Sequence, residues 1–179
     1  MTIVGESVTR IPTLESDRLR LRAPLPDDFE PYAAFCASDQ SRLVGGPYNR
    51  DQAWNRFIAV AGQWALRGFG RWIVAERESD APLGVVGLFY PNDWPEPEIA
   101  WTVFAEAEGR GIAHEAALMS RRYAYEVAGW ATAVSCIAPD NPRSQALARR
   151  LDAVEDGLFE HPEYGPLAIW RHPGPEAAT

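Results

Sequence analysis

The chain has 179 residues, 46% of them hydrophobic, a formal net charge of -8 and two cysteines. That length amounts to one domain, and the apolar share is enough for a core, which excludes wholesale disorder. The acidic balance excludes a general nucleic-acid binder, which needs a basic stripe to displace counterions; it suits a cationic substrate or simply keeps the chain soluble. Every residue counted as Lys or Arg is Arg, a composition bias rather than a functional mark. Cys36 and Cys136 are too few and too far apart for a disulfide framework or a zinc site, and Cys136 reads as a small buried hydrophobe. His114, His161 and His172 lack metal-ligand spacing. The N-terminus has no basic region followed by an apolar stretch, and no apolar run approaches the ~18 residues of a membrane span. The expectation is a cytoplasmic protein with no membrane or nucleic-acid partner, a monomer or homodimer.

In chain order, the first dozen residues show no pattern. Thr13 to Arg22 alternates Leu14, Leu19 and Leu21 with polar residues and reads as a strand. Pro24-Leu25-Pro26-Asp27-Asp28 breaks it, and Asp27 or Asp28 caps a short helix from Pro31 to Cys36. After Gly45-Gly46-Pro47, Asn49 or Asp51 starts a longer helix with Trp54, Phe57, Ile58, Ala61 and Trp64 or Ala65 at helical spacing, ended by Gly68 and Gly70. Three strands follow: Trp72 to Glu76, Leu83 to Tyr90 and Glu98 to Phe104. A glycine turn then opens a helix with Ile112, Ala116, Met119, Tyr123 and Val127 on one stripe. Thr132 to Ile137 is a strand, Pro139-Asp140-Asn141-Pro142 leads into a helix through Ser144, Leu147 and Leu151, and Val154 to Phe159 and Leu167 to Trp170 close the chain. The reading is one domain over residues 1–179, with loose ends at 1–12 and 173–179.

Strand, glycine turn, helix is the recipe for an anion site. The first helical turn leaves N–H groups without partners at the positive end of the helix dipole, and glycines remove the Cβ atoms that would hold a phosphate away. Arg110 adds a full charge. The turn does not fit a P-loop, because Ile112 and Ala113 stand where Lys and Ser/Thr belong. Nor does it fit a dinucleotide fold, which needs a third glycine and repeated strand–helix alternation.

Gly109-Arg110-Gly111-Ile112-Ala113-His114-Glu115-Ala116 resembles the coenzyme A pyrophosphate loop of the GNAT acetyltransferases, closest to their RimJ/RimL-like, ribosomal-protein N-acetyltransferase branch. Leu14 to Arg22 is similar to the family's opening strand, Glu98-Ile99-Ala100-Trp101 to the strand before the loop, and Asn141-Pro142-Arg143-Ser144 to its Asn-x-x-Ser. The resemblance spans roughly residues 13 to 171. It departs at Glu108, where the family has Gln or Arg; at Asp152-Ala153, which replaces Gly-Phe; and at Ala148, where many relatives carry a Tyr general acid.

The resemblance implies an α/β fold with a mixed, mostly antiparallel central sheet of about seven strands flanked by helices. The strand before the loop and Thr132 to Ile137 would splay to admit the pantetheine arm. It implies acetyl transfer from acetyl-CoA, as cosubstrate, to a primary amine of a small molecule or a protein N-terminus by direct attack. Trp101, Thr102, Val103, Glu108, Gly109, Arg110, Gly111, Ile112, Ala113, Asn141, Arg143 and Ser144 would contact coenzyme A. Glu98 is the candidate base against the alternative of an ordinary strand-end carboxylate. Asn141 binds pantetheine or orients the acceptor, or caps its helix, and Ser144 faces the leaving sulfur or solvent. Trp54, Trp64 and Trp72 border the acceptor cleft or pack the core, and Trp94 covers the acceptor entrance. Acceptor specificity is expected from Cys36 to Arg71 and from the loops near Trp94 and Tyr164. A non-catalytic acyl-CoA-binding regulatory module is the main alternative, and a nucleotide-binding domain a weaker one.

Overall fold

A computed structural model of the chain describes residues 9–175. The expected order of elements is present with one change. The opening segment is two strands, β1 (Leu14–Glu15) and β2 (Leu19–Arg22), folded back so that Leu14 faces Leu21. The cause is local. The Ser16 N–H donates to the Leu19 carbonyl (2.9 Å), and Ser16 Oγ accepts the Leu19 N–H (3.0 Å). A serine closing its own turn in this way interrupts a strand without disturbing the alternation. The sheet thus has eight strands rather than about seven.

Helix α1 (Phe29–Ala37) begins after a 3-10 turn at Pro26–Asp28, and no side chain caps it. Asp28 is engaged elsewhere. Its carboxylate meets Arg22 Nη1 and Nη2 at 2.7 and 2.9 Å, with both side chains buried, and accepts the Leu25 N–H at 2.7 Å. Helix α2 (Arg50–Arg67) starts at a capping box in which Asn49 and Gln52 each bond the other's backbone N–H, and it ends at Gly68 in the left-handed region. Its buried stripe is Ala53, Phe57, Val60 and Trp64, rotated from the expected one. Trp54 and Ile58 remain about half exposed (47% and 48%), and Trp54 meets the Phe29 ring edge-on at the helix rim.

The remaining elements are β3 (Arg71–Glu76), β4 (Pro82–Phe89), β5 (Glu98–Val103), α3 (Ile112–Glu126), β6 (Val134–Ile137), α4 (Pro142–Arg150), β7 (Val154–His161) and β8 (Gly165–Arg171). The sheet order is β1-β2-β3-β4-β5-β6-β8-β7. Neighbours are antiparallel except β5 and β6, which α3 joins as a parallel pair. Alternation along β3 sends Trp72 and Val74 to one face, with Val86, Leu88, Ile99, Ala116 and Ala117 on α3's side. It sends Ile73 to the other face, with Phe29, Tyr32, Phe57, Val85 and Phe104 under α1 and α2.

Trp64 and Trp72 belong to the α3-side core and do not border a cleft. Their indole N–H groups find the Arg71 carbonyl (2.9 Å) and the Pro12 carbonyl (2.7 Å), as buried indoles require. The ends expected to be loose lie mostly outside the described residues. Where they are described they are tied down: Ile11 packs on the core, Pro12 holds Trp72, and the Tyr125 hydroxyl donates to the Pro173 carbonyl at 2.7 Å. Val127, placed on α3's buried stripe by its spacing, is instead 65% exposed at the helix end. Asp152 takes φ 59°, so the turn after α4 persists without glycine. No helix of the described residues is long and apolar enough to cross a membrane.

Removing one partner of a buried ion pair strands the other charge. Asp28→Ala should therefore destabilise the fold by about 3 kcal/mol, the low end for such pairs because Arg22 keeps Asp80 at 3.0 Å. Urea unfolding should show a lower midpoint at unchanged slope, and a midpoint unmoved from the parent's would refute the anchoring role.

Candidate active site

The β5–β6 ladder consists of one partner pair, Glu98 with Val134, closed by the Val134 N–H to the Pro97 carbonyl at 3.1 Å. The next bond donated by β6 would join the Cys136 N–H to the Ile99 carbonyl. It is absent, and side chains satisfy both groups. Glu98 Oε1 accepts the Cys136 N–H at 3.0 Å, and Ser135 Oγ donates to the Ile99 carbonyl at 2.7 Å. The strands part from there, as expected, and the opening is lined by Trp101, Thr102, Asn141 and Ser144.

Two cavities meet at this opening and share those four residues together with Phe35, Leu43 and Val44. The larger, about 640 Å³, runs along the glycine turn and the start of α4. Of the residues expected to contact coenzyme A, Trp101, Thr102, Val103, Glu108, Gly109, Gly111, Ile112, Ala113, Asn141, Arg143 and Ser144 line it. Gly109 and Gly111 have φ of 70° and 76°. A Cβ at Gly109 would enter open space, and one at Gly111 would meet nothing nearer than Arg18 Nη2 at 3.8 Å. No side chain caps α3. Bare backbone and an uncapped helix of full length fit a pyrophosphate.

Arg110 is the exception. Its guanidinium pairs with Glu76 at 3.1 Å on the β3 side, away from this cavity. The turn is held in turn by the opening hairpin, because Arg18 donates to the Arg110 carbonyl (3.2 Å) and pairs with Glu115, which also takes the Ser16 hydroxyl at 2.6 Å. Glu108, the departure in the loop, is neutralised by Arg143 at 2.6 Å and bonded by Gln40. His114 is half-buried against the Arg150 carbonyl at 3.2 Å. Asn141 caps α4 through Oδ1, which accepts the Ser144 N–H at 3.1 Å, and so its amide nitrogen is not used by the cap. Ser144 Oγ accepts the Trp101 indole N–H at 3.1 Å and lines both cavities. Ala148 is fully buried in α4, so no hydroxyl stands there.

The second cavity, about 440 Å³, lies on the α1–α2 face and contains Glu98. Glu98 is 5% exposed, and its other oxygen takes the Trp94 indole N–H. Burial pushes its pKa up to about 8, against the pull of the Cys136 and Trp94 bonds and the Arg71 charge. It is therefore no ordinary surface carboxylate. Cys136 also lines this chamber instead of sitting wholly in the core, and its thiol is pushed up by burial and by Glu98. Cys36, Tyr48, Arg56, Arg71, Trp94 and Tyr164 line it too, all from the segments assigned to acceptor specificity.

Arg56, Arg71, Tyr32 and Tyr48 escaped the sequence reading. One signal was present: alternation puts Arg71 on the face of Ile73 and Ala75, where a charged residue has no structural reason to be.

Comparison with known proteins agrees with this geometry. Residues 18–154 match the family described as Acetyltransferase (GNAT) domain. An acetyltransferase from Agrobacterium tumefaciens str. C58 is 33% identical, covers 94% of this chain and 98% of its own, and superposes with a TM-score of 0.85. A GnaT-family acetyltransferase from Bordetella pertussis is 24% identical, covering 91% of this chain and 100% of its own, at a TM-score of 0.76. A ribosomal-protein-serine acetyltransferase from Vibrio cholerae shares the fold at 18% identity, covering 93% and 100%, at a TM-score of 0.77.

The raised Glu98 pKa has a stability consequence. Between the ordinary carboxylate pKa and about 8, the folded chain keeps a proton that the unfolded chain has released, so this group's contribution falls as pH rises through that window. Glu98→Gln removes the ionisation. Its melting temperature relative to the parent should climb from pH 5 to pH 8.5, and a difference constant with pH would show that Glu98 titrates normally.

Proposed function

The chain belongs to the GNAT acetyltransferase family, and from that premise we propose that Glu98 is the base that frees the acceptor amine in the chamber beside the β5–β6 opening. The protein transfers an acetyl group from acetyl-CoA to an amine. The amine nitrogen attacks the thioester carbonyl, the carbon–sulfur bond breaks, and the amine's proton leaves through Glu98, directly or through one water. Bringing the two reactants together supplies several kcal/mol of the barrier, on the order of 7 or more in well-aligned cases. A carboxyl that titrates near 8 is matched to taking a proton at physiological pH.

The observation that carries this assignment is the meeting of the glycine-turn cavity and the Glu98 chamber at the parted strands. The pyrophosphate is assigned to the backbone of Gly109 to Ala113, with Trp101, Thr102, Val103 and Asn141 along the pantetheine arm. Ser144 is assigned to the departing sulfur, since its hydroxyl proton is not used in accepting from Trp101. Arg110 serves the turn through its backbone. The acceptor is a primary amine, the whole chain acts as one catalytic domain, and two free cysteines support a cytoplasmic setting.

Two measurements test the assignment. Thiol release from acetyl-CoA across an amine panel should show kcat/KM rising with pH to about 8, and Glu98→Gln should lower kcat by about 100-fold at pH 8 and flatten that limb. Full kcat with an unchanged profile would remove Glu98 from the chemistry. Separately, Gly111→Val introduces a Cβ-branched residue at φ 76°, so the KM for acetyl-CoA should rise at least about tenfold, on the scale of 1–2 kcal/mol for a strained left-handed residue, while acceptor KM is unchanged.

A further inference from the structure

Two arginines stand in the acceptor chamber without an acid to hold them. Arg56 comes from α2 and Arg71 from the first position of β3. Both are half-buried. Arg56 lies over the Tyr48 ring at 4.1 Å and donates to the Tyr164 hydroxyl at a long 3.4 Å. Arg71 lies over the Phe89 ring at 4.5 Å. Elsewhere, Arg22 is held by Asp28 and Arg171 by Glu96, and the buried Arg121 by the Leu151 carbonyl at 2.6 Å. Among the described residues, neither Arg56 nor Arg71 has a carboxylate oxygen within 4.0 Å.

The two guanidiniums are close enough to repel one another, and Tyr32 and Tyr164 lie near both. Placing two cations together in a confined space costs free energy unless an anion completes the site. The other charged residues on the chamber wall do not fill that role. Glu98 is engaged with Cys136 and Trp94, and Arg42, Asp140 and Glu163 are exposed at the rim. The rings over which the guanidiniums lie fix their planes, and a planar fork suits a carboxylate.

Strand geometry fixes where such a group would lie. Arg71 pairs with Gly87, and Gly87 with Ala100, so Glu98, two residues along β5 from Ala100, shares the face of Arg71 with backbones about 12 Å apart at the usual strand spacings. The chamber thus has an anion end and a proton-accepting end. Resting on the acetyltransferase assignment, we infer that the acceptor is a small amine that also bears a carboxylate, which Arg56 and Arg71 bind while its nitrogen faces Glu98 and the thioester. The cations act by charge inside the chamber, against the acidic balance of the whole chain.

The test compares matched acceptors by thiol release: L-phenylalanine, L-phenylalaninamide and phenethylamine, with L-glutamate, β-alanine, 4-aminobutyrate and their amides, and O-phosphoethanolamine as a phosphate-bearing amine. In at least one matched set the carboxylate should exceed its amide in kcat/KM by at least about 100-fold, the low end of what two charge-assisted hydrogen bonds contribute. Arg56→Met and Arg71→Met should raise KM for that carboxylate far more than for its amide, leave KM for acetyl-CoA near the parent value, and so collapse the preference.

Equal rates for carboxylates and amides would overturn the inference and leave the acetyltransferase assignment standing; a preference for O-phosphoethanolamine would overturn the carboxylate class. Should a variant fail to fold, thermal stabilisation of the parent by the same compounds without acetyl-CoA decides the matter. Stabilisation by carboxylates and not by amides supports the site even where no thiol is released, a result that would count against catalysis instead. No stabilisation and no preference refutes it.

Discussion

The structure turns on one missing backbone hydrogen bond. A parallel β5–β6 ladder would continue from Val134–Pro97 to Cys136–Ile99, and a continued sheet would leave no passage between its faces. The bond is replaced from both sides, with Glu98 taking the Cys136 N–H and Ser135 giving its proton to the Ile99 carbonyl. An unpaired buried peptide group costs about 1–3 kcal/mol, so these two side chains make the opening tolerable. Ser135 is itself fixed by buried His172, 2.9 Å from its Oγ, with Arg121 behind at 3.4 Å. Burial and the Arg121 charge lower the His172 pKa to about 3, so the ring stays neutral and can bridge hydroxyl and guanidinium. The residue assigned to proton transfer is therefore also a structural replacement for a rung of the sheet. Both its burial and its raised pKa follow from that position.

The cofactor side is built on a different economy. Here charge is spent on holding the backbone, while the backbone faces the ligand. Arg18, Glu115 and Ser16 tie the glycine turn to the opening hairpin, and Arg110 is drawn off by Glu76. The split of the first strand, which looks incidental in the sheet, brings Ser16 and Arg18 to the start of α3. Glu108 is tolerated for a similar reason: Arg143 and Gln40 hold its carboxylate, so its charge is compensated before any phosphate arrives.

What could be read from the sequence were features with a period or a fixed local grammar. The glycine turn, the Asn49 cap, the Asn141 cap and the left-handed Asp152 each depend on a few neighbouring residues, and each is present. The misreadings share another cause. Ser16's turn satisfies the same alternation as a strand. On α2, Trp54 and Ile58 satisfy a helical period as well as Ala53 and Val60 do, and only the tertiary contact with α1 chooses between the stripes. Arg110 has the charge a phosphate wants, but Glu76, thirty-four positions earlier, was nearer. Long-range partners of this kind leave no local trace, and the chamber's arginines, contributed by α2 and β3, belong to the same class.

The two ends of that chamber bear on one chemical problem. An amine attacks only when neutral, and at physiological pH most primary amines are protonated. Cations beside an ammonium favour its deprotonated form. Arg71, near enough to Glu98 to stabilise its ionised state, also helps the carboxyl become the base that the step needs. A carboxylate on the acceptor would settle between Arg56 and Arg71 and relieve their repulsion, while the nitrogen enters a place where loss of its proton is favoured and Glu98 stands ready to take it. Binding the anion and freeing the amine would then be consequences of one arrangement of charge.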